Sequence, residues 1–162
     1  MNQTHLHLLI THLPIFGSIL GGLVLAYGLY SKSNHTKIAS YGLFIISALG
    51  GGVSYLTGEA AEHTVEDIQG ISETMIEQHE DFAVYALVSL IILGIISILG
   101  VYLTVKRSSF SRSIAVVIFF IALISYGLVA RTGYLGGQIR HTEINANKAT
   151  IVEKIDNDTE SD

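Results

Sequence analysis

Apolar residues fall into four long blocks separated by polar connections: Leu8–Tyr30, Ile38–Leu56, Phe82–Val105 and Ile114–Ala130. Each approaches or exceeds the roughly 20 residues that a helix needs to cross the hydrocarbon core of a bilayer, allowing for tilt and short extensions. The pattern therefore predicts four transmembrane helices. The connections Ser31–Lys37 and Lys106–Ser113 are short, which forces the helices they join to run antiparallel. The expected architecture is all-α, an antiparallel four-transmembrane-helix bundle with both termini on the outer side. Residues 1–144 would form this membrane domain, and 145–162 a polar, acidic tail. The first block lacks a basic leader and a small-residue cleavage site, so it is expected to be retained rather than removed as a signal peptide. Within the second connection, Val65, Ile68, Ile71, Met75, His79 and Phe82 recur at helical spacings. This predicts that the third helix starts ahead of its apolar block, around Ser72 or Glu73. No internal repeat is evident along the chain, although the second and fourth blocks both end in glycine-rich stretches.

Composition agrees with a membrane domain. Only 14% of the 162 residues are charged and 49% are hydrophobic, whereas soluble domains carry about a quarter charged residues. The absence of cysteine excludes disulfides, thiolate metal sites, iron–sulfur ligation and c-type haem attachment within this chain. No basic stripe is present, which argues against nucleic acid as a partner.

The distribution of charge supplies an orientation. Lys32 and Lys37 lie in the first connection, and Lys106, Arg107 and Arg112 in the third. The second connection has no Lys or Arg but is rich in Asp and Glu. Basic loops favour the cytoplasmic side, so the acidic loop and both termini are expected outside, although Arg131, Arg140, Lys148 and Lys154 run against the bias. The chain is expected to cross its membrane several times, with the acidic face on the outer side.

Candidate chemistry gathers on that face. Of seven histidines, His5, His7, His12, His63, His79 and His141 fall at the outer ends of the blocks, and only His35 falls at the other end. Imidazole binds haem iron, zinc and copper and carries protons near neutral pH. Helical spacing puts His12 on a stripe with Leu8, Leu9, Phe16 and Ile19, with His7 rotated away from it. On this pattern His12 is expected among apolar neighbours, and His5 and His7 among solvent or lipid headgroups. Pro14 cannot donate to the carbonyl of Ile10, so the first helix should begin or kink there. Glu59 and His63 are four residues apart, and the carboxylate can ligate a metal or orient an imidazole. Gly133, Gly137 and His141 also lie at helical spacing, a stripe without side chains that would admit a flat macrocycle or another helix. Gly17-x-x-x-Gly21 is a helix-packing pattern, within the bundle or between copies of the chain.

These residues resemble a family of small bacterial four-helix membrane proteins of unknown function. Its opening motif, His-Pro-x-x-Val-His-Phe-Pro-like, is matched in spacing by His7-Leu8-Leu9-Ile10-Thr11-His12-Leu13-Pro14, with Leu8 in place of the usual proline. Its second span ends in a Thr-Gly-x-x-Ala-like element, seen as Thr57-Gly58-Glu59-Ala60-Ala61. A histidine begins its third span, matched by His79, and its fourth closes with Gly-Tyr-x-Gly-Gly and a histidine, matched by Gly133-Tyr134-Leu135-Gly136-Gly137 and His141. The resemblance spans residues 5–142. Members joined to Rieske or cytochrome c domains imply a redox context by association.

Three classes of function fit these features. The first is a b-type haem protein for membrane electron transfer near the outer face, since histidines on facing helices of a bundle can supply both axial ligands. The expected ligands are His12 with His79, or His141 with His63, and a quinone or redox protein would be the electron partner. The second is a metal site built from His12, His63, His79, His141 and Glu59, either as an intramembrane zinc enzyme or in copper handling. With two methionines and no cysteine, the chain is poorly equipped for soft Cu(I). The third is a structural subunit of a membrane complex.

Overall fold

A computed structural model of the chain describes residues 7, 9–62 and 73–140. Four helices carry the fold: α1, His12–Tyr30; α2, Asn34–Glu62; α3, Glu73–Val105; and α4, Ser111–Arg140. All four contain segments long and apolar enough to cross a membrane, with mean hydropathy between 1.4 and 2.7. The start of α3 at Glu73 agrees with the pattern in the second connection. The helices outrun their apolar blocks. At about 1.5 Å per residue, the 33 residues of α3 reach roughly 50 Å, well beyond a hydrocarbon core of about 30 Å.

Each helix packs against two others: α1 and α3 both contact α2 and α4, which leaves α1 diagonal to α3. Closest approaches occur at glycines and small residues. Gly17 faces Ser47, Gly21 faces Phe44 and Gly28 faces Lys37, while Gly51 faces Leu90, Gly94 faces Ala48 and Gly100 faces Tyr41 and Ile118. Residue numbers fall on one helix as they rise on its neighbour, so α1 and α2, and α2 and α3, run in opposite directions. At Gly21 the fit is so close that a Cβ would stand 2.5 Å from Phe44. Close backbone approach of this kind replaces the hydrophobic drive that is lost when lipid, rather than water, is the alternative surrounding.

The distribution of side chains is that of a bilayer-facing bundle. Ile95 and Ile124 are 62% and 63% exposed, whereas Ser47, Ser97 and Ser125 are fully buried. The inward face of α1 consists of Pro14, Ser18, Gly21, Gly22, Leu25 and Gly28. Pro14 has no N–H to give to Ile10 O, yet the helical path is kept: Thr11 has helical dihedrals (φ −60, ψ −24) and its N–H donates to His7 O at 3.0 Å. The chain is thus already helical at His7, Leu9 and Ile10, ahead of α1. The Pro14 carbonyl is then used twice, accepting from the Ser18 hydroxyl at 2.7 Å and, across the helix interface, from the Ser47 hydroxyl at 3.0 Å.

The two short turns share one design. Ser33 N–H donates to Gly28 O after α1, and Ser108 N–H donates to Leu103 O after α3. In each, the residue before the donor is left-handed: Lys32 at φ 55 and Arg107 at φ 52. These are Schellman closures with a basic residue where glycine is usual. The strain, about 1 kcal/mol each, is offset in part by placing a cation at a helix C-terminus.

A candidate imidazole site at one end of the bundle

The end of the bundle opposite these turns is organised by His7 and His79. His7 stands one and two heptads before Pro14 and Gly21, in register with the small inward face of α1. His79 bears the same relation on α3 to the buried Ala86 and Leu93. Both side chains are half-buried.

Each imidazole is anchored through Nδ1 to a backbone carbonyl of the adjoining helix. His7 Nδ1 lies 3.0 Å from Ser54 O and 3.2 Å from Thr57 Oγ1 on α2. His79 Nδ1 lies 3.0 Å from Thr132 O on α4. A carbonyl only accepts, so the proton of each neutral ring sits on Nδ1 and the lone pair on Nε2. Among the described residues neither Nε2 has a hydrogen-bond partner. The two rings also lie within electrostatic range of one another. Burial holds the His7 pKa below its ordinary value, only partly countered by the bond to Ser54, so that ring favours the neutral form.

Gly136 makes room for the His79 dock, and Gly58 stands at the equivalent place beside His7. Four residues after the accepting carbonyl of Ser54 comes Gly58, where a Cβ would be 3.5 Å from His7 Cε1. Four residues after Thr132 comes Gly136, where a Cβ would be 3.0 Å from His79 Cε1. The arrangement is duplicated. His7, Gly22 and Gly28 of the first hairpin recur at constant spacing as His79, Gly94 and Gly100 of the second. Ser47, Ser54 and Gly58 likewise recur as Ser125, Thr132 and Gly136. This repeat is sparse enough to escape reading along the chain, and it becomes legible once each imidazole is seen over its glycine.

The remaining candidates are placed differently. His12 is exposed and its ring stacks with Phe16 at 6.2 Å between centroids. Its apolar stripe faces outward, because in a bilayer the most apolar face of a helix turns to lipid. The expected placement of His7 on the periphery is accordingly corrected: His7, not His12, lies on the inward face of its helix. Glu59 lies on α2 immediately after Gly58, with its side chain outside the described residues. His5, His63, His141 and the tail 145–162 also lie outside them. A Cβ at Gly133 would stand an ordinary 3.4 Å from Ile15, and one at Gly137 would meet nothing within 4 Å. The glycine that admits a ring in α4 is therefore Gly136. Among the described residues, no three His, Asp or Glu side chains converge as a metal-holding group. Beside the His79 dock, the Arg131 guanidinium lies 5.5 Å from the ring centroids of both Phe82 and Tyr134.

No family model matches this chain, and neither does any curated protein or solved structure.

Proposed function

We propose that the protein is a membrane-bound b-type haem protein that transfers electrons near one bilayer face, in which His7 and His79 would hold the haem iron. The observation that carries this reading is the matched state of the two imidazoles. Both are fixed by an Nδ1–H···O=C bond, and both keep Nε2 for a ligand. A backbone acceptor on the second ring nitrogen is the usual means of orienting a ligating histidine and raising its basicity. Their helices are diagonal across the bundle, and facing helices are where bundles build cofactor sites. Haem iron held by two imidazoles cycles between ferric and ferrous states and so carries single electrons.

The chain's own residues divide the remaining work. Ser54 and Thr132 hold the rings through their carbonyls, and Gly136 leaves space for that of His79. Arg131 supplies a cation at the same end, suited to a propionate. The apolar spans keep water from the site. The resemblance to small bacterial four-helix membrane proteins supports the same residues, since its motif elements contain His7, Thr57, Gly58, His79 and Gly136. The charge bias of the loops supports both termini and the imidazole end on the outer, periplasmic or extracellular, face of a bacterial inner membrane. A quinone or a redox protein is the electron partner in this reading.

A pair of imidazoles suits haem better than zinc, for which a catalytic site needs three protein ligands. The test is purification after expression with ample haem, followed by pyridine haemochrome assay and metal analysis. The expected result is one haem per chain. Stoichiometric zinc or copper without haem would overturn the reading in favour of a compact metal site, and neither would favour a structural subunit.

A further inference from the structure

The opposite end of the bundle contains a second site. A cleft of about 120 Å³ opens between the α1–α2 turn and the start of α4, lined by Gly28, Leu29, Lys32, Lys37 and Arg112. It has room for several water-sized groups. Three of its five lining residues are cations.

Lys37 is the unusual member, a lysine only 5% exposed. Gly28 explains how it is held there. A Cβ at position 28 would stand 3.1 Å from both Lys37 Cγ and Lys37 N, so only glycine lets the lysine stem lie against α1. The ammonium has no hydrogen-bond or ion-pair partner among the described residues. The guanidinium of Arg112 lies within electrostatic range of it. Both cations belong to first helical turns, Lys37 in α2 and Arg112 in α4, and neither turn contains an acidic residue. Helix N-termini carry partial positive charge and favour anions. Placing cations there, beside a third at Lys32, concentrates positive potential in a cleft whose lining includes no carboxylate. The stem is buried, whereas the ammonium is not among the fully enclosed unpaired polar atoms and so has access to the cleft it lines.

We propose that this cleft binds a phosphate group, with the Lys37 ammonium as the point charge on its buried stem, Arg112 as the planar donor and Lys32 closing the open side. Arg and Lys are the residues that recognise phosphate, the former through paired N–H donors. Phosphodiester in a lipid headgroup and free phosphate share this chemistry. The site is independent of the imidazole end and of any haem there.

The full chain, purified in neutral detergent and stripped of lipid, is titrated with phosphatidylglycerol in one arm and inorganic phosphate in the other, while thermal unfolding is followed. The occupied site raises the midpoint by on the order of 5–10 °C at a hundredfold excess over Kd. Lys37→Met keeps the stem against Gly28 and abolishes the shift; Arg112→Gln, at an exposed position, abolishes it without disturbing the interior. Lys106→Gln, outside the cleft, retains it. A shift with phosphatidylglycerol alone assigns a lipid headgroup, and a shift with inorganic phosphate as well assigns free phosphate. No shift with either probe, or equal shifts in all variants, overturns the proposal.

Discussion

Gly136 lies directly against the His79 imidazole: a Cβ at that position would be 3.0 Å from ring Cε1 and 3.3 Å from Nδ1, the atom that donates to Thr132 O. The glycine and the hydrogen bond thus constrain the same ring from the same helix. Gly136→Ala should push the imidazole off its acceptor. The equivalent Gly58→Ala meets His7 at 3.5 Å, an ordinary contact. Gly136→Ala should weaken ligand binding at His79 by about tenfold or more, the scale of losing the hydrogen bond that orients a ligating imidazole, and Gly58→Ala should have little effect. Titrating the cofactor into both variants measures the difference.

Acid should loosen the His7 dock. Its pKa is lowered in the folded protein from an ordinary value of 6.5, chiefly by burial. The unfolded chain therefore binds the proton more readily than the folded one. The stability of the neutral dock is fully present above pH 6.5 and is lost as pH falls through the lowered folded value. Unfolding midpoints in detergent between pH 7.5 and 4.5 should fall less steeply in His7→Gln than in the parent chain. Parallel profiles would remove His7 from the pH response.

The glycine pair in α1 separates packing from helix propensity. A Cβ at Gly21 would strike the Phe44 ring at 2.5 Å, whereas one at Gly22 meets nothing within 4 Å. Gly21→Ala should destabilise the α1–α2 interface by about 1–3 kcal/mol. Gly22→Ala should be neutral or stabilise by up to about 1 kcal/mol, because alanine is the better helix former. Detergent unfolding of the two single variants checks both signs.

Four helices, their approximate spans and the early start of α3 were legible because long apolar blocks and helical periodicity survive in any surroundings. Which way a helix faces was not. The stripe through Leu9, His12 and Phe16 is apolar, and in a soluble protein it would turn inward; here those residues are exposed. The inward face is marked instead by small residues at heptad spacing, Pro14, Gly21 and Gly28, and His7 extends that series by one step. That signal was present in the sequence but points to the interior only when lipid is the solvent. His79 needed no such correction, since its amphipathic stretch continues into the wetter end of α3. The carbonyl docks on Ser54 and Thr132 had no sequence signature, because any residue can supply a backbone acceptor. Their glycines stand within the Thr57-Gly58 and Gly133-Tyr134-Leu135-Gly136-Gly137 elements, but the helical stripe of Gly133, Gly137 and His141 singles out the other two glycines of α4.

Low-temperature electron paramagnetic resonance of the haem-loaded, oxidised protein reads out ligation by His7 and His79. A low-spin ferric signal of bis-imidazole ligation is expected in the parent chain and in His12→Ala. In His7→Ala and in His79→Ala that signal should be replaced by a high-spin one or lost with the haem. Retention of the low-spin signal in both of those variants, with its loss in His12→Ala, would contradict the account.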